Sequence, residues 1–163
     1  MRYYFAYGSN MCAAQMAFRC PGARVVGQAH LDGWRFHANT RGSAAIRPNE
    51  DSVVHGVLWR CNAVHFHMLD RHEGVSWGNY LRQHVSIEMP CGARAPAITY
   101  VGTRTYDGLA RVRYMMTAVL PGAEAFGLPS SYIEELRSWL PKGVIGEKRV
   151  PVRRGARPIR FLR

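Results

Sequence analysis

The chain has 163 residues, 47% of them hydrophobic and 20% charged, which is typical of one folded domain. It shows no secretory signal and no apolar run long enough to span a bilayer, and its four cysteines lack C-x-x-C spacing. These features argue against a secreted or membrane-spanning protein. They favour a cytoplasmic protein with reduced thiols.

The formal net charge of +11 is concentrated near the C-terminus. Residues 142–163 contain eight lysines and arginines against Glu147 alone, a net charge of +7, whereas residues 1–141 carry +4. We therefore expect a domain over residues 1–141 and a basic extension over residues 142–163. If the extension binds a polyanion such as nucleic acid, raising the salt concentration should weaken that binding steeply.

The first predicted element is an apolar strand, Tyr3–Tyr7, which changes abruptly to Gly8-Ser9-Asn10. A helix is predicted from Met11 to Arg19, with Asn10 as its N-cap. A strand, a small-residue loop and a helix N-terminus together present backbone N–H groups that can bind an anion. Many α/β proteins begin this way without binding anything there, so the segment alone leaves both interpretations open.

The middle of the chain alternates between apolar and polar residues, as β-strands do. The predicted strands are residues 23–31, 34–40, 53–60, 80–88 and 96–102, with a turn at Asp32-Gly33 and a polar loop over 41–52. Most of these strands are consecutive antiparallel pairs. That order argues against a doubly wound fold and favours a compact mixed sheet or small barrel with helices around it.

Three further helices are predicted. Asn62 caps the first, over residues 63–72, whose buried side is expected to be Val64, Met68 and Leu69. The second covers residues 111–126 and should break or end at Pro121-Gly122. Ser130 opens the last with a sequence that resembles a capping box, and Pro141 should end it.

No metal site is expected. His65, His67 and His72 lie in or beside one short helix, but residues two apart on a helix point to different sides. No cysteine or carboxylate completes a standard zinc spacing with them. We therefore predict that the protein needs no metal.

Two side chains near the first loop are candidate nucleophiles. A helix N-terminus near Cys12 would stabilise a thiolate, although a small apolar residue on the inner face of the helix is the favoured interpretation. Ser9 lies in Gly8-Ser9-Asn10, which lacks the G-x-S-x-G elbow of serine hydrolases. Neither residue is predicted to be catalytic.

Glu73 ends a predicted helix among Gly74, Trp77 and Tyr80. A carboxylate near aromatic surface loses hydration, so its pKa rises and it becomes a usable general base near neutral pH. The residues alone fit two other roles, a turn cap and an ion pair with Arg71.

Three segments in this order resemble the γ-glutamylcyclotransferase family, of the AIG2-like superfamily. They are Tyr4-Phe5-Ala6-Tyr7-Gly8-Ser9-Asn10-Met11, then Leu69-Asp70 to Glu73-Gly74-Val75 with Tyr80 following, and Gly127-Leu128-Pro129 before Tyr132 and Leu136. The resemblance runs from about Tyr3 to Pro141. The ordered set is more specific than any one segment, and the basic extension is not part of it.

The resemblance implies an α+β fold, a small mixed six-stranded β-barrel surrounded by helices. It also implies an acyltransferase that needs no cofactor and releases 5-oxoproline from a γ-glutamyl compound. Glu73 takes the place of the family's catalytic acid/base. The implied substrate-binding residues are Tyr4, Phe5, Ala6, Tyr7, Gly8, Ser9, Asn10, Tyr80 and Tyr114. The expected partner is a small γ-glutamyl molecule, not a membrane or a nucleic acid, and the expected assembly is a monomer or homodimer.

The resemblance leaves the substrate open. Relatives with a Tyr-Gly-Ser-Asn loop act on γ-glutamyl amino acids, and one bacterial branch removes a γ-glutamyl protecting group from an antibiotic intermediate. Relatives acting on γ-glutamyl-lysine isopeptides or glutathione usually carry a different residue after the Gly-Ser or Gly-Thr pair. The alternative class is a catalytically idle binding protein that contacts a polyanion through its basic extension.

Overall fold

The computed structural model describes residues 1–103 and 107–144. The strands are β1 (Arg2–Ala6), β2 (Arg24–Ala38), β3 (Ala44–Cys61), β4 (Tyr80–Glu88) and β5 (Arg94–Gly102). The helices are α1 (Ala13–Arg19), α2 (Ala63–Glu73), α3 (Val112–Tyr114), α4 (Leu120–Ala125) and α5 (Ser130–Ser138). Short 3₁₀ turns at Ser9–Met11 and Val75–Trp77 precede α1 and follow α2, and a π-helical segment, Met115–Val119, joins α3 to α4.

The strands form a closed barrel in the order β1-β3-β2-β4-β5. β1 pairs antiparallel with β3 on one side and parallel with β5 on the other, which closes the barrel. Because β1 has a partner on both sides, its residues Tyr4, Phe5 and Ala6 are all buried. Full burial of a side chain such as Phe5 contributes about 1.5–3 kcal/mol to stability. The mixed barrel with surrounding helices confirms the predicted fold class.

The prediction of six strands was wrong, since the described residues contain five. The predicted turn at Asp32-Gly33 is a bulge within β2, where the register with β3 shifts between Asp32 and Trp34. Gly33 adopts φ 76° there, which a glycine does without strain. The predicted loop over 41–52 is mostly strand, because β3 begins at Ala44 and residues 44–48 pair with residues 34–38 of β2, whereas residues 49–52 lie between the two paired stretches. The true turn lies at residues 39–43.

The prediction that Asn10 caps the first helix was wrong. Cys12 occupies the N-cap position of α1, and Asn10 lies in the preceding 3₁₀ turn. In α2, the cap at Asn62 is confirmed, and the ring of His65 completes a capping box with it. The buried side of α2 is His65, Phe66 and Leu69, whereas Val64 is 66% exposed.

Pro121 does not end the helix that contains it. The backbone stays helical from Val112 to Ala125, with a π-helical segment directly before Pro121. The wider π turn relieves the clash that a proline ring makes with the preceding turn of an α-helix. At α5, the predicted serine cap is also wrong. Pro129 is the N-cap residue and no side chain caps the helix.

None of the helices in the described part of the chain is both long and apolar enough to cross a membrane. Of the predicted extension over 142–163, residues 145–163 lie outside the described residues. Val144 packs, partly buried, against the core.

Candidate active site

A cavity of about 220 Å³ lies beside the end of β1, between the 3₁₀ turn, the end of α2 and the β2–β3 turn. Its lining is polar and aromatic, with five tyrosines, three arginines and a single carboxylate among the described residues. These residues are Tyr4, Tyr7, Tyr80, Tyr100 and Tyr114, Arg19, Arg41 and Arg111, and Glu73. The remainder are Gly8, Ser9, Asn10, Asn39, Ser43, Ala44, His72 and Asn79.

The Gly8-Ser9-Asn10 loop forms one wall of the cavity. The backbone N–H of Met11 donates to the carbonyl of Gly8 at 2.9 Å, which closes the tight turn. A Cβ atom at Gly8 would lie 2.9 Å from the Tyr114 hydroxyl and 3.0 Å from the Ala44 Cβ. Glycine at this position therefore lets β3 and the Tyr114 side chain approach the loop closely.

Glu73 is the last residue of α2, and its side chain points into the cavity towards Asn10. Gly74 ends the helix in the left-handed conformation, with φ 65°. A Cβ atom at Gly74 would lie 2.4 Å from Asn79 Nδ2, so a larger residue would displace the Asn79 side chain as well as strain the backbone. The position of the Glu73 carboxylate is thus set by the end of α2, by its glycine cap and by Asn79.

The Glu73 carboxylate belongs to a hydrogen-bonded chain rather than to an ion pair. Its Oε1 accepts from Asn10 Nδ2 at 3.1 Å, and the same Nδ2 donates to the Tyr4 hydroxyl at 2.8 Å. Arg19 Nη1 donates to Asn10 Oδ1 at 2.6 Å and to Ser9 Oγ at 3.1 Å. The described salt bridges include no Arg71–Glu73 pair, the alternative that the sequence left open.

Burial raises the pKa of Glu73 to about 7. The positive charge of Arg19 and the hydrogen bond from Asn10 lower the pKa but only partly offset burial. The side chain is half-buried, and protein encloses it except where it faces the cavity. A carboxyl group with this pKa exchanges a proton readily near neutral pH, as a general acid/base must.

The tyrosines around Glu73 stay protonated, because burial raises the pKa values of Tyr4, Tyr7, Tyr80 and Tyr114 above the ordinary value. The backbone N–H of Ser9 donates to the Tyr114 hydroxyl at 3.2 Å. Tyr80 donates to the carbonyl of Ala44 at 2.7 Å. The cavity therefore offers neutral hydroxyl groups beside one carboxylate.

Arginines and the β2–β3 turn form the mouth of the cavity. Arg111 Nη2 donates to Ser43 Oγ at 2.9 Å, and its guanidinium lies 5.4 Å from the centre of the Tyr114 ring. The backbone N–H of Arg111 also donates to the carbonyl of Gly42 at 3.0 Å. Arg41 lines the cavity from the same turn and is exposed. These cations can attract an anionic substrate.

Most of the side chains predicted for the site meet in this one cavity. Glu73 lies there with Tyr4, Tyr7, Gly8, Ser9, Asn10, Tyr80 and Tyr114. Phe5 and Ala6 do not line it, because they are buried in the barrel core. Sequence reasoning missed Arg19, Arg41, Arg111, Asn39 and Ser43. The Asn39–Ser43 turn could have been found from its turn residues had β3 not been read as a loop.

The histidines of the predicted helix have separate roles. His65 is a capping residue whose Nε2 lies 2.9 Å from the carbonyl oxygen of Pro21, and His72 lines the cavity. Elsewhere, His30, Asp32 and Glu88 bring possible ligand atoms within 4.8 Å of one another. Arg94 already pairs with both of these carboxylates, at 3.3 Å for Asp32 and 3.0 Å for Glu88. Its charge opposes a cation there.

The cysteines of the described chain are free thiols. Cys12 is half-buried at the N-cap of α1. Burial raises the pKa of Cys20 to about 11 and that of Cys61 to about 12, so both are protonated at neutral pH.

Fold and site together define a class, a small closed-barrel protein that holds one recessed carboxylate against a tight Gly-Ser-Asn loop. The sequence profile of the AIG2-like family matches residues 53–136, just over half of the chain. The chain therefore belongs to the AIG2-like family, and its resemblance to γ-glutamylcyclotransferases is confirmed.

The comparisons also identify individual relatives. A γ-glutamylcyclotransferase from Homo sapiens is 28% identical over 154 residues, covering 88% of this chain and 81% of the relative. A solved structure of a γ-glutamyl cyclotransferase has a TM-score of 0.80 at 27% identity, covering 90% of this chain and 92% of the other. YkqA from Bacillus subtilis has a TM-score of 0.74 at 27% identity, covering 87% of this chain and 56% of that protein.

Proposed function

We propose that this protein is a γ-glutamylcyclotransferase that releases 5-oxoproline and a free amine or amino acid from a γ-glutamyl compound. One observation carries the proposal, the Glu73 carboxyl in the cavity, which accepts a hydrogen bond from Asn10 of the loop and has a pKa of about 7. The names of the relatives support it. A carboxyl of this kind suits proton transfer between two amines.

The reaction needs one proton acceptor that later becomes a proton donor. The substrate's α-ammonium gives a proton to Glu73, and the freed amine attacks the substrate's own γ-carbonyl carbon. A C–N bond forms, and a five-membered ring closes through a tetrahedral intermediate. Glu73 then protonates the departing nitrogen as the original amide C–N bond breaks. It next takes up the second proton that the ring nitrogen must lose and passes it to the released amine, which leaves as an ammonium ion. No redox partner is required, and the carboxylate returns to its starting state.

The cavity would contribute through orientation and electrostatics. Because the attack is intramolecular, holding the amine against the carbonyl removes much of the barrier. The hydroxyls of Tyr4 and Tyr114, which accept hydrogen bonds from Asn10 and from the Ser9 N–H, would donate to a developing oxyanion or to the α-carboxylate. Arg41 and Arg111 would attract the anionic substrate to the mouth.

The test is a screen for 5-oxoproline by mass spectrometry, with a panel of γ-glutamyl amino acids and γ-glutamyl amines. We expect turnover of at least one compound and stoichiometric release of its amine. Absence of turnover across the panel by folded protein would contradict the proposal and favour the idle binding protein. Cytoplasmic location and a monomeric or homodimeric assembly remain predictions.

We expect the basic extension to be dispensable for the reaction. A chain truncated after Val144 keeps the residue that packs on the core and every described residue of the cavity. Its kcat/KM should stay within a few-fold of the full chain. A truncated chain with an unchanged melting temperature but no turnover would show that the extension belongs to the site.

Neither metal nor thiol should be needed. Incubation with a chelator, and separately the change Cys12→Ala, should each leave the rate within a few-fold of that of the untreated wild-type protein. The reason is that proton transfer by Glu73 accounts for the reaction without a Lewis acid or a nucleophilic sulfur. Activity lost to the chelator and restored by zinc would overturn this prediction.

A further inference from the structure

Arg19 contacts the catalytic loop from the C-terminal end of α1, a position to which the sequence assigned no role. Its Nη1 lies 2.6 Å from Asn10 Oδ1 and 3.1 Å from Ser9 Oγ, and its side chain is half-buried at the cavity. No carboxylate is paired with Arg19 among the described salt bridges. Its described hydrogen bonds therefore go to the two polar residues of the loop.

The hydrogen bonds of Arg19 decide which way the Asn10 amide faces. A guanidinium has only donors, so the group opposite Nη1 must be the amide oxygen. The amide nitrogen is then left to donate to the Tyr4 hydroxyl and to Glu73 Oε1, at 2.8 and 3.1 Å. The flipped amide would place donor against donor at Arg19 and oxygen against oxygen at Glu73.

We propose that Arg19 is a positioning residue, which binds the Asn10 amide oxygen and thereby keeps the amide nitrogen donating to Glu73. Its catalytic meaning rests on the proposed function, but its effect on Glu73 does not. Arg19 would act on the ionised carboxylate in two ways, through this oriented hydrogen bond and through its own positive charge. Both favour the proton-accepting form.

The other groups around Glu73 leave this role to Arg19. Four tyrosines face the carboxylate from β1, the residue after it, β4 and α3, and their raised pKa values keep them neutral. They are Tyr4, Tyr7, Tyr80 and Tyr114. On α2 itself, Arg71 and His72 are exposed. Arg41 and Arg111 lie at the mouth. Arg19 is the cation whose charge lowers the Glu73 pKa.

The first experiment follows Glu73 directly, by carbon-13 NMR titration of its carboxyl in the wild type, Arg19→Met, Arg19→Lys and Arg71→Met. Methionine removes the donors and the charge but keeps an unbranched side chain. We expect Arg19→Met to raise the pKa of Glu73, Arg19→Lys to raise it less, and Arg71→Met to leave it unchanged. Arg71 is the matched control because it removes the same charge from the exposed face of α2. An unchanged titration in Arg19→Met would overturn the proposal.

The second experiment is the pH profile of kcat/KM with the best γ-glutamyl substrate. We expect the acid limb of Arg19→Met to move to higher pH, with a loss of about tenfold near pH 6 for each pH unit moved and partial recovery at high pH. A purely structural defect would lower the whole profile without moving it. A raised KM with an unmoved acid limb would mean that Arg19 binds substrate, which also overturns the proposal.

A double-mutant cycle with Asn10→Ala tests whether Arg19 acts on Glu73 through the Asn10 amide. If Arg19 acts through Asn10, then Arg19→Met should change the Glu73 titration less in the Asn10→Ala background than in the wild type. Equal effects in both backgrounds would show that the Asn10 amide plays no part. Should Arg19→Met fail to fold, Arg19→Lys carries the same comparison. If the wild type turns over no substrate, the proposed function fails while the titration still tests Arg19.

Discussion

Replacing Glu73 with glutamine is expected to lower kcat/KM for 5-oxoproline release by about 10²–10⁴-fold, with the upper end favoured because one group serves both proton transfers. Glutamine has nearly the same volume, and its carbonyl oxygen can still accept from Asn10 Nδ2. It cannot take up the proton of an ammonium group. Substrate binding should change less, since the loop and the tyrosines remain.

Two further variants test whether the effect is specific to the position and charge of Glu73. Glu73→Asp should also be poor, because it draws the carboxylate back by one carbon–carbon bond and misplacement is costly. Glu50→Gln removes the same charge at an exposed position of β3 outside the cavity and should leave the rate unchanged. A folded Glu73→Gln protein with near-normal turnover would refute the assignment of Glu73 as acid/base.

Glu73→Gln should also show that the ionised Glu73 carboxylate lowers the stability of the folded protein at high pH. The pKa of Glu73 in the folded protein is about 7, above the ordinary value of 4.5, so the folded state holds this proton more tightly than the unfolded state does. This contribution to stability therefore falls as pH rises from about 4.5 to about 7 and stays low above that. We expect Glu73→Gln to melt above wild type at pH 8 and close to it near pH 4.

Gly122→Ala is expected to lower both the melting temperature and the activity. Helix propensity alone would favour alanine by about 1 kcal/mol. However, a Cβ atom at Gly122 would lie 2.8 Å from the backbone nitrogen of Cys12 and 2.8 Å from the carbonyl carbon of Met11. Overpacking against backbone costs about 1–3 kcal/mol, and displacement of the adjoining Asn10 by about 1 Å would cost up to about 10²-fold in rate.

Ala125→Gly is the matched control for this change. It lies exposed at the end of the same helix and reports propensity without the contact to the loop. We expect it to lower the melting temperature slightly and to leave kcat/KM unchanged. Thermal melts and kcat/KM of both variants are the measurements. A Gly122→Ala protein that is more stable and no less active than wild type would show that the loop can be displaced without cost.

The parts of the fold that the sequence predicts well are those in which local patterns agree with tertiary packing. The alternation of residues 80–88 gave β4 with its observed bounds, and Asn62 and Gly74 mark both ends of α2. Errors arose where context overrides local preference. Gly33 is typical of a turn but lies in a bulge, and residues 44–48 fall within a stretch that resembles a loop because their pairing with β2 cannot be seen locally.

The candidate site shows the same division. Glu73 and the Gly8-Ser9-Asn10 loop carry recognisable residue types at the ends of predicted elements. Arg19 and Arg111 look like ordinary surface arginines in sequence, because their placement depends on how helices far apart in the chain pack around β1. Phe5 and Ala6 fall within the motif, but the closed barrel buries them away from the cavity.

The pairing of β1 has a consequence for how the chain acquires its structure. This strand of five residues precedes the other four in the chain, and its partners are β3 and β5, which end at Cys61 and Gly102. Contacts so distant in sequence slow folding, because the intervening chain loses entropy before they form. One edge of β1 must therefore wait for the end of β3 at Cys61 and the other for β5, and Glu73 becomes enclosed only once Tyr114 has followed.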